Sequence, residues 1–200
     1  MFNKIKNKKV FSKGKRSVIY VGYFNNQKVA IKKVNKRKEI EHSIKNEAIF
    51  LKILNKHKIG PKLIYSKNNY VVYGFVEGEF IENFFENSTK RSILVVIKKI
   101  IYQCYVLDKL KINKLEMHHP YKHILINKNK VTMIDFERAY FTEKPKNVTQ
   151  FLSYLISKKI SLILKKKGIN INKNNIIKIS KQYKKDYSKK SLNKIKNVFK

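Results

Sequence analysis

Three charged residues stand where the apolar pattern would bury them. Lys32 closes the run Val29-Ala30-Ile31, on a strand whose neighbours are built for a core. Glu47 follows Ile44 by three residues and precedes Leu51 by four, so it borders the apolar stripe of a helix. A carboxylate in that position needs a cation, because an unpaired buried charge is strongly unfavourable, and Lys32 is the natural partner. Asp135 ends the apolar run 131–134 and is followed by Phe136. A strand-end carboxylate is a good place to hold a metal ion, although many such residues are only structural. Taken singly, a lysine in a lysine-rich chain belongs on the surface.

The elements that must position these residues are legible from pattern. Residues 17–23 (SVIYVGY) and 28–34 (KVAIKKV) are β-branched and aromatic runs joined by Asn25-Asn26-Gln27, which predicts a hairpin, with Val10-Phe11 as a strand before it. Ile40, Ile44, Ala48 and Leu51 recur at helical spacing over 37–57, and Gly60-Pro61 ends that helix. Residues 62–65 and 70–75 read as a strand pair around Asn68-Asn69. Beyond Glu77-Gly78 the character changes: a long amphipathic helix over 91–112, short strands at 124–126 and 131–134, and a helix to about Lys167 with Asn147 as N-cap. Gly168 closes that helix. A further helix follows over 174–187, and the last dozen residues either continue helically or fray. The expected organisation is a sheet-rich segment 1–76 and a helical segment 77–200.

Composition excludes several classes. At 42% hydrophobic, with 12 Tyr and 12 Phe, the chain can bury a core. The single Cys104 excludes a disulfide framework and a cysteine-built zinc site, and reads as a small core residue. No apolar run approaches the ~20 residues that span a bilayer, and Lys4, Lys6, Lys8 and Lys9 break up any leader pattern, so a cytoplasmic protein with no membrane role is expected. Against 13 acidic residues stand 47 basic ones, only four of them Arg. The excess points to a polyanion such as RNA, or else to a coding bias towards Lys, since Arg is the preferred reader of phosphates and bases. Residues 151–200 carry 15 Lys and a single acid, Asp186, which makes the C-terminal tail the expected RNA-contacting surface.

Together, in order, VAIK (29–32), Glu47 on the following helix and IDFE (134–137) resemble the strand lysine, helix glutamate and metal-binding aspartate of the protein-kinase-like fold. The resemblance spans roughly residues 9–165. Ser12-Lys13-Gly14-Lys15-Arg16-Ser17 occupies the place of the glycine-rich loop, with Gly14 the one glycine at its three motif positions, and residues 74–78 occupy that of the hinge. The chain is most similar to short archaeal predicted serine/threonine protein kinases, related to the RIO-type kinases and to the small kinase of the tRNA threonylcarbamoyl-modification complex. That resemblance implies an α+β, bilobal, kinase-like fold with a five-stranded antiparallel lobe and a reduced helical lobe. It also implies ATP and Mg2+ as cofactors and a protein Ser/Thr hydroxyl as acceptor. Gly14, Ser17, Lys32, Glu47, Val76 and Glu77 would serve the nucleotide. Asp135 would be the only acid at its strand end facing the phosphates, with Arg138 locking that end or contacting phosphate.

The catalytic loop departs from the pattern. Anchored on Ile124-Leu125, its register puts His118 at the usual Asp position, His123 at the metal-holding Asn position and Glu116 at the usual His position. Three readings stay open. His118 or Glu116 acts as base, with Lys122 neutralising the γ-phosphate; or His118 and His123 bind metal, although no acid or cysteine joins them at zinc spacing; or the histidines are satisfied by backbone bonds and have no catalytic duty. The departure leaves two functions: a minimal serine/threonine kinase, or a nucleotide-binding pseudokinase or ATPase module of an RNA-associated complex.

Overall fold

The computed structural model describes residues 2–14, 17–34, 38–67 and 69–200. Lys15 and Arg16 of the expected glycine-rich loop, Arg37 at the expected helix start, and Asn68 of the expected turn lie outside them. The chain is α+β and divides into two compact units, Met1–Glu77 with Thr132–Ala139, and Gly78–Val131 with Tyr140–Lys200. The segment bearing Asp135 therefore groups with the N-terminal residues, not with the chain on either side of it.

In the first unit, β1 (Lys6–Lys13), β2 (Ser17–Phe24) and β3 (Gln27–Val34) precede α1 (Lys38–Asn55), and β4 (Leu63–Lys67) and β5 (Tyr70–Gly74) follow it. They form one antiparallel sheet in the order β1-β2-β3-β5-β4. Asn25 and Asn26 both take positive φ (47° and 59°) in the β2–β3 turn, a conformation that Asn tolerates better than most side chains. Central in the sheet, β3 is covered on both faces. Val29 and Ile31 pack with Ile5, Tyr70 and Val72 on one face, while Val34 meets Ile44, Ala48 and Val71 on the other. Strand alternation gives Lys32 the face of Val34, towards α1, and Lys33 the opposite face.

The turn after α1 is tied by one side chain. Asn55 Nδ2 donates to the carbonyls of Ile59 (3.1 Å) and Pro61 (2.9 Å), and its Oδ1 accepts from Leu63 N at 2.7 Å. Gly60 is required there: its φ is +79°, and a Cβ would stand 2.8 Å from Leu51 Cδ2 and 3.2 Å from the ring of Phe136. This turn thus seats Phe136, which is fully buried next to Asp135.

The second unit contains β6 (Glu79–Phe80), α2 (Ile81–Asn87), α3 (Lys90–Lys109), β7 (Ile112–Asn113), β8 (Ile124–Asn127), the start of β9 (Lys130–Met133) and β10 (Tyr140–Phe141). The helices α4 (Asn147–Leu155), α5 (Lys158–Lys166), α6 (Lys173–Asp186) and α7 (Lys189–Asn197) complete it. Two expectations are corrected. The helix expected to reach Lys167 is two helices, interrupted at Ile156-Ser157. Its N-cap position belongs to Lys146, because Asn147 is committed elsewhere. Asn147 Nδ2 donates to Asp108 Oδ1 and to Ile112 O, both at 2.7 Å, and its Oδ1 accepts from Lys114 N. Asp108 supplies the missing cap by accepting from the amides of Asn147 (3.0 Å) and Val148 (3.3 Å) and from Tyr183 Oη (2.9 Å). Burial pushes the Asp108 carboxyl up to about 6, and these donors act against the rise.

The final residues do not fray. Ser188 caps α7, whose Leu192 and Ile195 are buried together with Phe199. Among the described residues, no helix is long and apolar enough to cross a membrane.

Candidate functional site

The site is built on β3. Lys32 lies in register between Ile19 of β2 and Val71 of β5, and only 6% of it is exposed. Its ammonium sits among three carboxylate oxygens: Glu47 Oε2 at 3.0 Å, Asp135 Oδ1 at 2.8 Å and Glu137 Oε2 at 2.9 Å. Of these contacts the one to Asp135 Oδ1 is a hydrogen bond, whereas Glu47 Oε2 is buried without a hydrogen-bond partner and is held by charge. Burial alone would favour neutral Lys32, but the three anions outweigh it and hold the lysine well above its ordinary value. For Glu47, 1% exposed, burial wins over Lys32 and pushes the carboxyl up, with Asp135 adding to the rise.

Each carboxylate arrives by a different route. Glu47 is carried inward by the stripe of α1 that packs Ile44 and Ala48 on the sheet. Asp135 takes positive φ (63°), and an Asp tolerates this left-handed backbone better than a bulky residue would. Glu137 follows two residues later in the same irregular segment. Asn46, beside Glu47 on α1, fastens that segment by donating Nδ2 to the carbonyls of Glu137 and Ala139, both at 2.8 Å.

The expected Lys32–Glu47 pair is present, and Asp135 joins it. Asp135 is not the only acid there: Glu137 is a second one. No periodicity announces Glu137, since the segment after β9 is irregular, and Asn46 carries no signal either. Arg138 is exposed. Gly14 N donates to Ser17 O at 2.8 Å, and among the described residues a Cβ on Gly14 would meet Ser17 O at 3.4 Å. Ser17 pairs with Val34, two residues beyond Lys32 along β3. In the expected hinge, Phe75 N donates to Lys28 O, Val76 is half-buried, and exposed Glu77 pairs with Lys28 at 2.8 Å. Exposed Phe11 meets the edge of Phe75, with ring centroids 5.5 Å apart, and Lys28 Nζ lies over the Phe75 ring.

The loop with the histidines belongs to the second unit and forms two 3-10 turns, Leu115–His118 and Pro120–Lys122. His118 is exposed, with Nδ1 3.0 Å from Leu115 O. In neutral His118 that geometry puts the proton on Nδ1 and leaves Nε2 as an acceptor. Its ring packs on His119 at 4.6 Å between centroids. Glu116 binds Nζ of fully buried Lys114 at 3.1 Å, a pairing that no pattern in the sequence announces. Lys122 is exposed over Tyr121, and half-buried His123 closes the second turn through its amide.

Among the described residues, one group of side chains could hold a metal: Glu47, Asp135 and Glu137, whose ligand oxygens lie within 4.8 Å of one another. His118 and His123 are not in it. Comparison with protein-family models and with curated proteins finds no match.

Proposed function

We propose that the protein is an ATP- and magnesium-dependent phosphotransferase of bilobal, protein-kinase-like architecture, acting on a Ser/Thr hydroxyl of a protein. One observation carries this reading. A buried lysine on the central strand is held between a helix glutamate and a strand-end aspartate in left-handed backbone. A structural ion pair needs one carboxylate for one ammonium; a strained, partly exposed second one is better explained as a ligand. The donors fit Mg2+, a hard cation that takes oxygen ligands and one or two carboxylates beside substrate phosphates. When bound, the ion would neutralise charge building up on the transferring phosphoryl group.

In this reading Lys32 orients the α- and β-phosphates, Glu47 holds Lys32 in place, and Asp135 with Glu137 holds the ion. Gly14, Ser17 and the backbone of Val76 and Glu77 bound the nucleotide. His118 takes the acceptor proton at Nε2, Lys122 balances the γ-phosphate, and His123 lies at the position that holds a second ion in the fold it resembles. Incubation with γ-labelled ATP tests it: label appears in an acceptor protein and depends on Mg2+. Release of free phosphate without transfer would contradict the kinase reading.

A second reading, a nucleotide-binding module of an RNA-associated complex, is favoured by the surface of the C-terminal segment. All the lysines of 151–200 except Lys167 and Lys196 are exposed. Removing the last residues is a poor test, because it would strip Leu192, Ile195 and Phe199 from the core. Replacing Lys184, Lys185, Lys189 and Lys190 with Gln is better. RNA affinity should fall steeply with salt, and these changes should flatten the log–log slope by about 0.7 for each phosphate no longer neutralised. An unchanged slope, or no RNA affinity at low salt, would reduce the lysines to composition.

A further inference from the structure

We infer that Glu137 is a latch on Lys32, which keeps metal-free nucleotide out and is drawn aside by the divalent cation that accompanies ATP. The inference rests on the nucleotide reading proposed for this site and adds a means of regulation to it. One cation is surrounded by three anions, whose oxygens lie 2.8–3.0 Å from the Lys32 ammonium. A phosphate approaching this group meets net negative charge, with carboxylates crowding the ammonium. At least one carboxylate must leave before Lys32 can bind it.

The structure ranks the three. Glu47 is 1% exposed and anchored by the packed face of α1, so it stays. The side chains of Asp135 and Glu137 are 36% and 16% exposed, so both can be approached from solvent. The main chain at Glu137 cannot follow a departing side chain, because Asn46 holds the carbonyls of Glu137 and Ala139 to α1. A departing Glu137 carboxylate must therefore swing by its side-chain torsions. A divalent cation engaging Asp135 and Glu137 would draw two of the three anions off Lys32, open the ammonium to phosphate and leave the Lys32–Glu47 pair standing. A nucleotide without the cation has no means of opening the latch.

The test is an equilibrium titration of the 200-residue chain with ATP, once with Mg2+ and once with excess chelator, for the natural sequence and for Glu137→Gln and Glu137→Ala. Melting curves verify that each variant is folded, and the milder Gln change preserves the shape of the side chain. The natural protein should bind ATP at least ~100-fold more weakly without Mg2+. Both variants should tighten metal-free binding about tenfold and shrink the Mg2+ effect to match, the gain expected on removing one close, partly buried charge from Lys32. If the variants leave metal-free affinity unchanged or weaken it while ATP with Mg2+ still binds, the latch is wrong and the nucleotide reading survives. If a variant loses only the Mg2+-supported part, Glu137 is a plain metal ligand and the latch is again wrong. If no protein binds ATP in either condition, both readings fall together.

Discussion

Lys32→Ala should weaken binding of ATP with Mg2+ by about 10- to 100-fold, the worth of one charge-assisted hydrogen bond at ~1.5–3 kcal/mol. It should also lower stability by roughly 3–5 kcal/mol, because Glu47 would keep a buried charge without its cation. Lys33→Ala should leave the affinity unchanged, since it lies one residue along on the opposite face of β3. Two effects in one variant invite confusion between impaired binding and impaired folding. The double change Lys32→Ala with Glu47→Gln separates them: it should recover much of the stability and none of the affinity. Denaturant titration and equilibrium binding of the three variants read this directly. Equal affinities for the Lys32 and Lys33 variants would remove Lys32 from the phosphates.

His118→Ala should slow phosphate transfer by at least ~10²-fold, the lower end of what a positioned base contributes, while leaving nucleotide affinity and melting temperature nearly unchanged. The exposed ring, bonded only through Nδ1 to a local carbonyl, has little structural work to lose. Glu116→Gln is the companion variant, and the structure distinguishes the two. Glu116 is tied to the buried ammonium of Lys114, so its change should lower stability whether or not it touches the rate. A rate loss confined to Glu116→Gln would move the base to that carboxylate. If neither change slows transfer tenfold, the loop is structural and the protein binds nucleotide without transferring phosphate.

The parts of the fold and site that are legible in sequence are those with a local period. The two faces of β3 and the stripe of α1 can be counted off residue by residue, which is why Lys32 and Glu47 stand out against their apolar neighbours. The five-stranded sheet follows from turn residues such as Asn25-Asn26 and from β-branched runs. Glu137 escapes notice because an irregular segment has no period, and its orientation depends on a fastening by Asn46 some 91 residues away in sequence. The Asp108–Asn147–Tyr183 network is likewise long-range, spanning 75 residues, and it overrides Asn147's preference for a capping position. The break between α4 and α5 carries no Gly or Pro, so continuous apolar spacing conceals it. At seven residues, α2 is too short for a helical period to be read.

Whether Lys32 and Asp135 form a metal-dependent nucleotide-phosphate site is decided by a calorimetric titration with ATP and Mg2+ of the natural protein beside Asp135→Asn. Saturable one-to-one binding is expected, weakening at least ~tenfold in Asp135→Asn with Mg2+ present, as the removal of one ionised ligand would cause. Absence of saturable binding to the natural protein, or equal affinity in the two proteins, would contradict it.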